Sequence, residues 1–196
     1  MSLLSDIQNW FKINCNGDWE HEYGVHISTI DNPGWCLKVD LTNTALDGTF
    51  FSKKKNNNPE DWYTVKTENN EFIAYGDPNK LEELVEIFLS YLRSELKKSK
   101  LTYTLYISLG KYEDIEVWRP IEGRMVDINE FEIESCPVFD IQDLKVRNIE
   151  DLDKISFDQV KDITVVKEGD LVTCKLINFF DYPALIIDNK CSRNSK

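Results

Sequence analysis

The sequence predicts an α+β protein in two parts. Residues 1–98 read as an N-terminal helix, a four-stranded antiparallel sheet and a C-terminal amphipathic helix, and residues 99–196 as a small, mostly-β, barrel-like domain. Apolar residues alternate with period two between Tyr23 and Thr42, as in strands with one buried face. From Leu81 to Leu96 they recur at spacings of three and four, as along one face of a helix. Beyond the charged stretch Ser94–Lys100, short apolar runs separated by turn residues have the punctuation of a small barrel or half-open sheet.

A capping box, Ser5-Asp-Ile-Gln8, predicts the start of the first helix, because the serine can accept from the third backbone N–H while the glutamine reaches back. Ile7, Trp10 and Phe11 then share one face. In the alternating stretch, Tyr23, Val25, Ile27 and Thr29 form one set, and Trp35, Leu37, Val39 and Leu41 form another beyond Asn32-Pro-Gly34. This is an antiparallel hairpin. Val25 and Ile27 share a face with Leu37 and Val39 only if the loop holds an odd number of residues, since a slip of one sends an apolar set to solvent. Three or five residues both satisfy that condition, and Pro33-Gly34 suits a type II turn.

A third strand is expected over Thr49–Ser52, followed by an exposed loop through the lysines, asparagines and proline of residues 53–61. Trp62–Thr67 and Glu71–Tyr75 read as a second hairpin closed by Asn69-Asn70, residues that tolerate positive φ. Asp77-Pro78 then reads as the N-cap and first position of a helix whose stripe is Leu81, Leu84, Val85, Phe88, Leu92 and Leu96. In the second part, strands are expected over Leu101–Leu109, Ile115–Trp118, Met125–Ile133, Asp162–Val166, Leu171–Ile177 and Ala184–Ile187, with an acidic insertion between Ile141 and Asp158.

Composition narrows the chemistry. Net charge is −12, with 11 basic and 16 acidic residues up to Lys100 and 12 and 19 after it. Such a surface repels phosphate backbones and attracts cationic proteins, so direct nucleic-acid binding is disfavoured and a basic protein partner is favoured. No apolar run is long enough to span a bilayer and the N-terminus has no leader-like pattern, so a cytoplasmic protein without membrane contact is expected. Five cysteines, with no Cys-x-x-Cys pair, argue against a disulfide framework and a zinc finger.

Cys15-Asn-Gly-Asp-Trp-Glu-His-Glu-Tyr-Gly-Val-His26 gathers one thiol, three carboxylates and both histidines of the chain. Cys15, Asp18, His21 and His26 are metal-ligand types, but their spacing matches no motif with a known mechanism. Cys15 as a nucleophile would need a cationic setting, and its neighbours are acidic. Asp18, Glu20 and Glu22 could serve acid–base chemistry, although a solvated edge explains them as well. No phosphate loop, nucleophile elbow or His-Glu-x-x-His helix occurs, so an enzyme is not expected, and neither is a cofactor or a metal. Trp19 among acids has instead the look of an aromatic anchor on a protein-binding surface.

The run from Cys15 through Trp35, continued by Lys38-Val-Asp-Leu-Thr42, resembles the signature of the immunity protein 53 family over roughly residues 1–98. The shared positions include Trp10, Cys15, Gly17, Asp18, Trp19, Glu20, His21, Tyr23, Gly24, Asp31–Trp35, Asp40 and Leu41. The resemblance implies a non-catalytic bacterial protein that neutralises a polymorphic toxin by binding it. Asp18, Trp19, Glu20, His21 and Glu22 are the expected partner contacts, and the expected partner is a cognate, basic toxin, such as a nuclease. Val117-Trp-Arg-Pro-Ile121 and Glu168–Cys174 are similar to short SH3-like modules. The rival readings are an adaptor acting through that β module and a Cys/His-dependent enzyme.

Overall fold

The computed structural model describes residues 2–112, 114–137, 144–145, 166–179 and 183–191. The chain divides into two compact units, Met1–Asn14 with Asp18–Lys100, and Cys15–Gly17 with Leu101–Lys196. No helix among the described residues is long and apolar enough to cross a membrane.

The first unit holds helices α1 (Leu3–Asn14), α2 (Trp19–Glu22) and α3 (Leu81–Leu96), and strands β1 (Val25–Ile30), β2 (Gly34–Asp40), β3 (Ser52–Asn58), β4 (Asp61–Glu68) and β5 (Glu71–Gly76). The sheet has five strands, not the four expected, in the order β1-β2-β5-β4-β3. Helix α1 begins a turn earlier than its capping box suggests, because the Ser2 hydroxyl already accepts from the Ser5 N–H at 3.2 Å.

β1 and β2 pair Val25 with Val39, Ile27 with Leu37 and Ile30 with Gly34, leaving a three-residue loop. The parity required by the apolar pattern thus holds. Gly34 does not take the positive φ of a type II turn. Its role is close approach, since a Cβ there would sit 2.3 Å from the Gly76 carbonyl oxygen. At the second hairpin, Asn69 (φ 51°) and Asn70 (φ 62°) form the expected two-residue turn between Glu68 and Glu71.

The third strand departs most from expectation. Ser-Lys-Lys-Lys-Asn-Asn-Asn is strand β3, paired with β4 from Ser52–Lys66 to Asn58–Asp61, with a bulge between Asn56 and Asn58. A strand at the sheet edge can leave its side chains in water, so a polar composition does not forbid it. Lys53 lies over the Tyr63 ring at 5.6 Å, and Lys55 pairs with Asp61 at 2.8 Å.

Helix α3 starts at Leu81, a turn later than expected, because the Asp77 carboxylate accepts N–H bonds from Asn79 and from Trp62 on β4, both at 2.9 Å. Its apolar stripe buries Leu84, Val85, Phe88, Leu92 and Leu96. Phe88 meets Trp10 and Phe72 edge-on, each at 5.1 Å between centroids. Each such fully buried large side chain is worth roughly 1.5–3 kcal/mol. Arg93 of α3 also binds Asp6 of α1 at 2.9 Å.

The second unit is a closed barrel of β6 (Thr102–Tyr112), β7 (Ile115–Asp127), β8 (Glu130–Ser135), β9 (Leu171–Asn178) and β10 (Pro183–Lys190), in the order β10-β6-β7-β8-β9. Every pairing is antiparallel except β10 with β6. β7 runs on from the expected Ile115–Trp118 to Asp127, and the expected Met125–Ile133 strand is divided by a turn between the end of β7 and β8. Opposite β7, β6 bulges between Ser108 and Gly110, where Gly110 takes φ 101°. Tyr106 and Trp118 each pack on the Phe179 ring at 5.2 Å between centroids. The strand expected over 162–166 lies outside the described residues except for Val166, and the 141–158 insertion does so except for Leu144 and Lys145.

Candidate partner-binding site

Asp18 to Glu22 form a single helical turn at the entrance to β1, and the turn separates these residues instead of gathering them. Trp19 turns inward and is only 3% exposed. Its indole N–H donates to the Thr42 carbonyl at 2.8 Å, and its ring lies about 6 Å from Trp10, Phe11 and Tyr23. The expectation of an exposed aromatic anchor is therefore corrected. A one-turn helix has one inward position, and an indole whose N–H finds an acceptor gains by taking it. Asp18, His21 and Glu22 stand exposed around it, and Glu20 is half-buried.

The other notable residues of this region build the hairpin. The Asp40 carboxylate accepts the Gly24 N–H at 2.9 Å, and the Asp31 carboxylate accepts the Asn32 N–H at 2.9 Å. The Trp35 indole donates to the Pro78 carbonyl at 2.9 Å, tying the β1–β2 loop to the α3 entrance. Leu41 and Trp10 are fully buried. His26 is exposed on the sheet face opposite Val25 and Ile27, as the alternation requires.

The clefts of this unit include two lined by described residues. One, of about 500 Å³, lies between β3 and α3 and is lined by Phe51, Lys53, Glu83, Glu86 and Tyr91 among others. The other, of about 520 Å³, lies where Pro33, Pro59, Trp62 and Pro78 meet. Phe50, just before β3, is 91% exposed. Among the described residues no group of three or more His, Cys, Asp and Glu is placed to hold a metal ion. Cys15, Cys36 and Cys174 are buried, and burial pushes the Cys174 thiol up to about 12.

The hairpin with its capping Asp40, the inward Trp19 and the α3 brace all fall within the stretch, residues 4–93, that matches the family Immunity protein 53. Residues 4–93 are thus similar to the immunity protein 53 family. No curated protein and no solved structure matches the chain.

Within the matched stretch the strand β1 is legible in sequence but its open edge is not, because alternation reveals which face is buried and not whether a strand has one neighbour or two. It has one. The Asp40 N–H donates to the Gly24 carbonyl at 3.0 Å, which fixes the phase of the ladder. His26, Ser28 and Ile30 therefore direct their backbone groups at β2, while Val25, Ile27 and Thr29 direct theirs away from the sheet.

Proposed function

We propose that this protein is an immunity protein that binds a cognate toxin and neutralises it by forming a stoichiometric complex. The observation that carries this reading is the family match over residues 4–93. The toxin is basic, such as a nuclease that holds phosphate, and the charge of −12 supports that choice by drawing a cationic protein in and repelling nucleic acid. The chain acts in the cytoplasm, without a cofactor and without turning over a substrate. Asp18, Glu20, His21 and Glu22 flank the contact and govern the association rate, as charges around an interface do. Trp19 holds their turn in place. The barrel of residues 99–196, similar in short runs to SH3-like modules, supports the complex from a separate domain.

The test is co-expression in a bacterial host with the toxin domain encoded by the adjacent reading frame. The expected result is restored growth and a 1:1 complex by gel filtration. A soluble, folded protein that neither restores growth nor co-elutes contradicts the reading, and rescue far below one equivalent points to catalysis instead.

A further inference from the structure

We propose that the outer edge of β1, Val25–Ile30, is the docking site for the toxin, which adds an extended strand of its own to this sheet. The inference rests on the immunity reading above and names its surface. No described residue bonds to the outward N–H and C=O groups of Val25, Ile27 and Thr29. His26, Ser28 and Thr29 are exposed, and Ile27 is 44% exposed although its cross-strand partner Leu37 is fully buried. Open backbone groups of this kind pair readily with another chain, and natural sheets normally guard them with lysine, proline or a bulge. β3, at the other edge, has three consecutive lysines and a bulge. β1 has no lysine, no proline and an unbroken register with β2.

Charge selects the occupant. Exposed Glu22 precedes this edge and exposed Asp31 follows it, on a chain of net charge −12. A second copy would bring the same acids together, whereas a strand with lysine or arginine at its ends would complement them. Such a strand gains affinity from the ladder bonds and specificity from an apolar side chain set beside Ile27.

Proline substitution isolates the ladder. Ile27→Pro and Thr29→Pro each delete an outward N–H and leave the β2-facing bonds in place, and edge strands accept proline at such positions. The probe is the toxin domain from the adjacent reading frame, titrated into the full-length protein, with thermal melts to verify folding. Each substitution should weaken binding about tenfold or more, as loss of a strand-pairing bond at a closed interface does. Lys54→Pro, at the matching outward position on β3, should change it less than about twofold. Ile27→Lys installs the guard that β3 has, keeps every backbone donor, and should also weaken binding if the proline variants fail to fold. Tight binding by the native chain that survives Ile27→Lys and a folded Thr29→Pro overturns the edge proposal and leaves the immunity reading standing. No binding by the native chain overturns both. A native chain that dimerises through β1 in light scattering, and loses the dimer in Ile27→Lys, overturns the choice of partner.

Discussion

The two edges of the N-terminal sheet are made of different chemistry. β3 consists of serine, lysines and asparagines, is bulged, and is fastened at its far end by Asp61, which bonds Lys55 at 2.8 Å and Lys80 at 2.7 Å. β1 reads Val-His-Ile-Ser-Thr-Ile, pairs without a bulge, and leaves Ile27 in water. Both edges belong to one sheet under one helix layer, so the fold alone does not require the contrast. A fold needs its edges kept apart from other chains, and one edge here is equipped for that while the other is not. An edge left open beside a strongly acidic surface is the combination a basic partner can use.

The largest effect is expected at Trp19, which fixes the turn before β1. Trp19→Ala should cost about 3–5 kcal/mol of unfolding free energy by chemical denaturation, the scale for truncating a buried tryptophan. A loss below about 1 kcal/mol, with binding selectively abolished, would restore the indole to the surface. Gly34→Ala comes next. It places a methyl against the Gly76 carbonyl and should cost about 1–3 kcal/mol, as overpacking does, with the damage concentrated at the β2–β5 junction.

A smaller effect sharpens the guarded side. Replacing Lys53, Lys54 and Lys55 together by threonine should leave the sheet folded but raise its tendency to self-associate, measured as concentration-dependent light scattering. If the triple variant stays as monodisperse as the native chain, the lysines are not guards. The smallest effect concerns pH. Hydrogen bonds from Lys55, then Lys80 and Asn57, hold the Asp61 carboxyl far below the usual carboxylate range. A carboxyl depressed on folding adds stability above its ordinary value near pH ~3.9 and gives it up as acid drives the pH below that. Asp61→Asn should therefore flatten the dependence of the melting temperature on pH between about 4 and 2, modestly because the group is solvent-exposed.

Much of this fold can be read before any coordinates. The hairpin parity follows from Val25, Ile27, Leu37 and Val39 having to share a face, and the α3 stripe follows from helical spacing. What escapes has a physical reason in each case. β3 lacks the apolar alternation by which strands are found, because an edge strand holds its place through backbone pairing with β4. Asp77 looks like a helix cap, yet its carboxylate is shared with the Trp62 N–H, a contact 15 residues away that only the folded sheet creates. Of the candidate contacts, Asp18, His21 and Glu22 are exposed and Glu20 is half-buried, while Trp19 lies inside, because local composition cannot reveal that Thr42 offers its indole an acceptor. The open edge of β1 depends on the strand order, which no stretch of sequence states.

Amide hydrogen exchange on the full-length protein, alone and with the toxin domain bound, reads the β1 edge residue by residue. In the free protein the N–H groups of His26, Ser28 and Ile30 should exchange slowly and those of Val25, Ile27 and Thr29 quickly. In the complex the second set should become protected, so that all six are slow. Protection that appears only around α3 or the β3 edge, with Val25, Ile27 and Thr29 still exchanging freely in the bound state, would contradict the account.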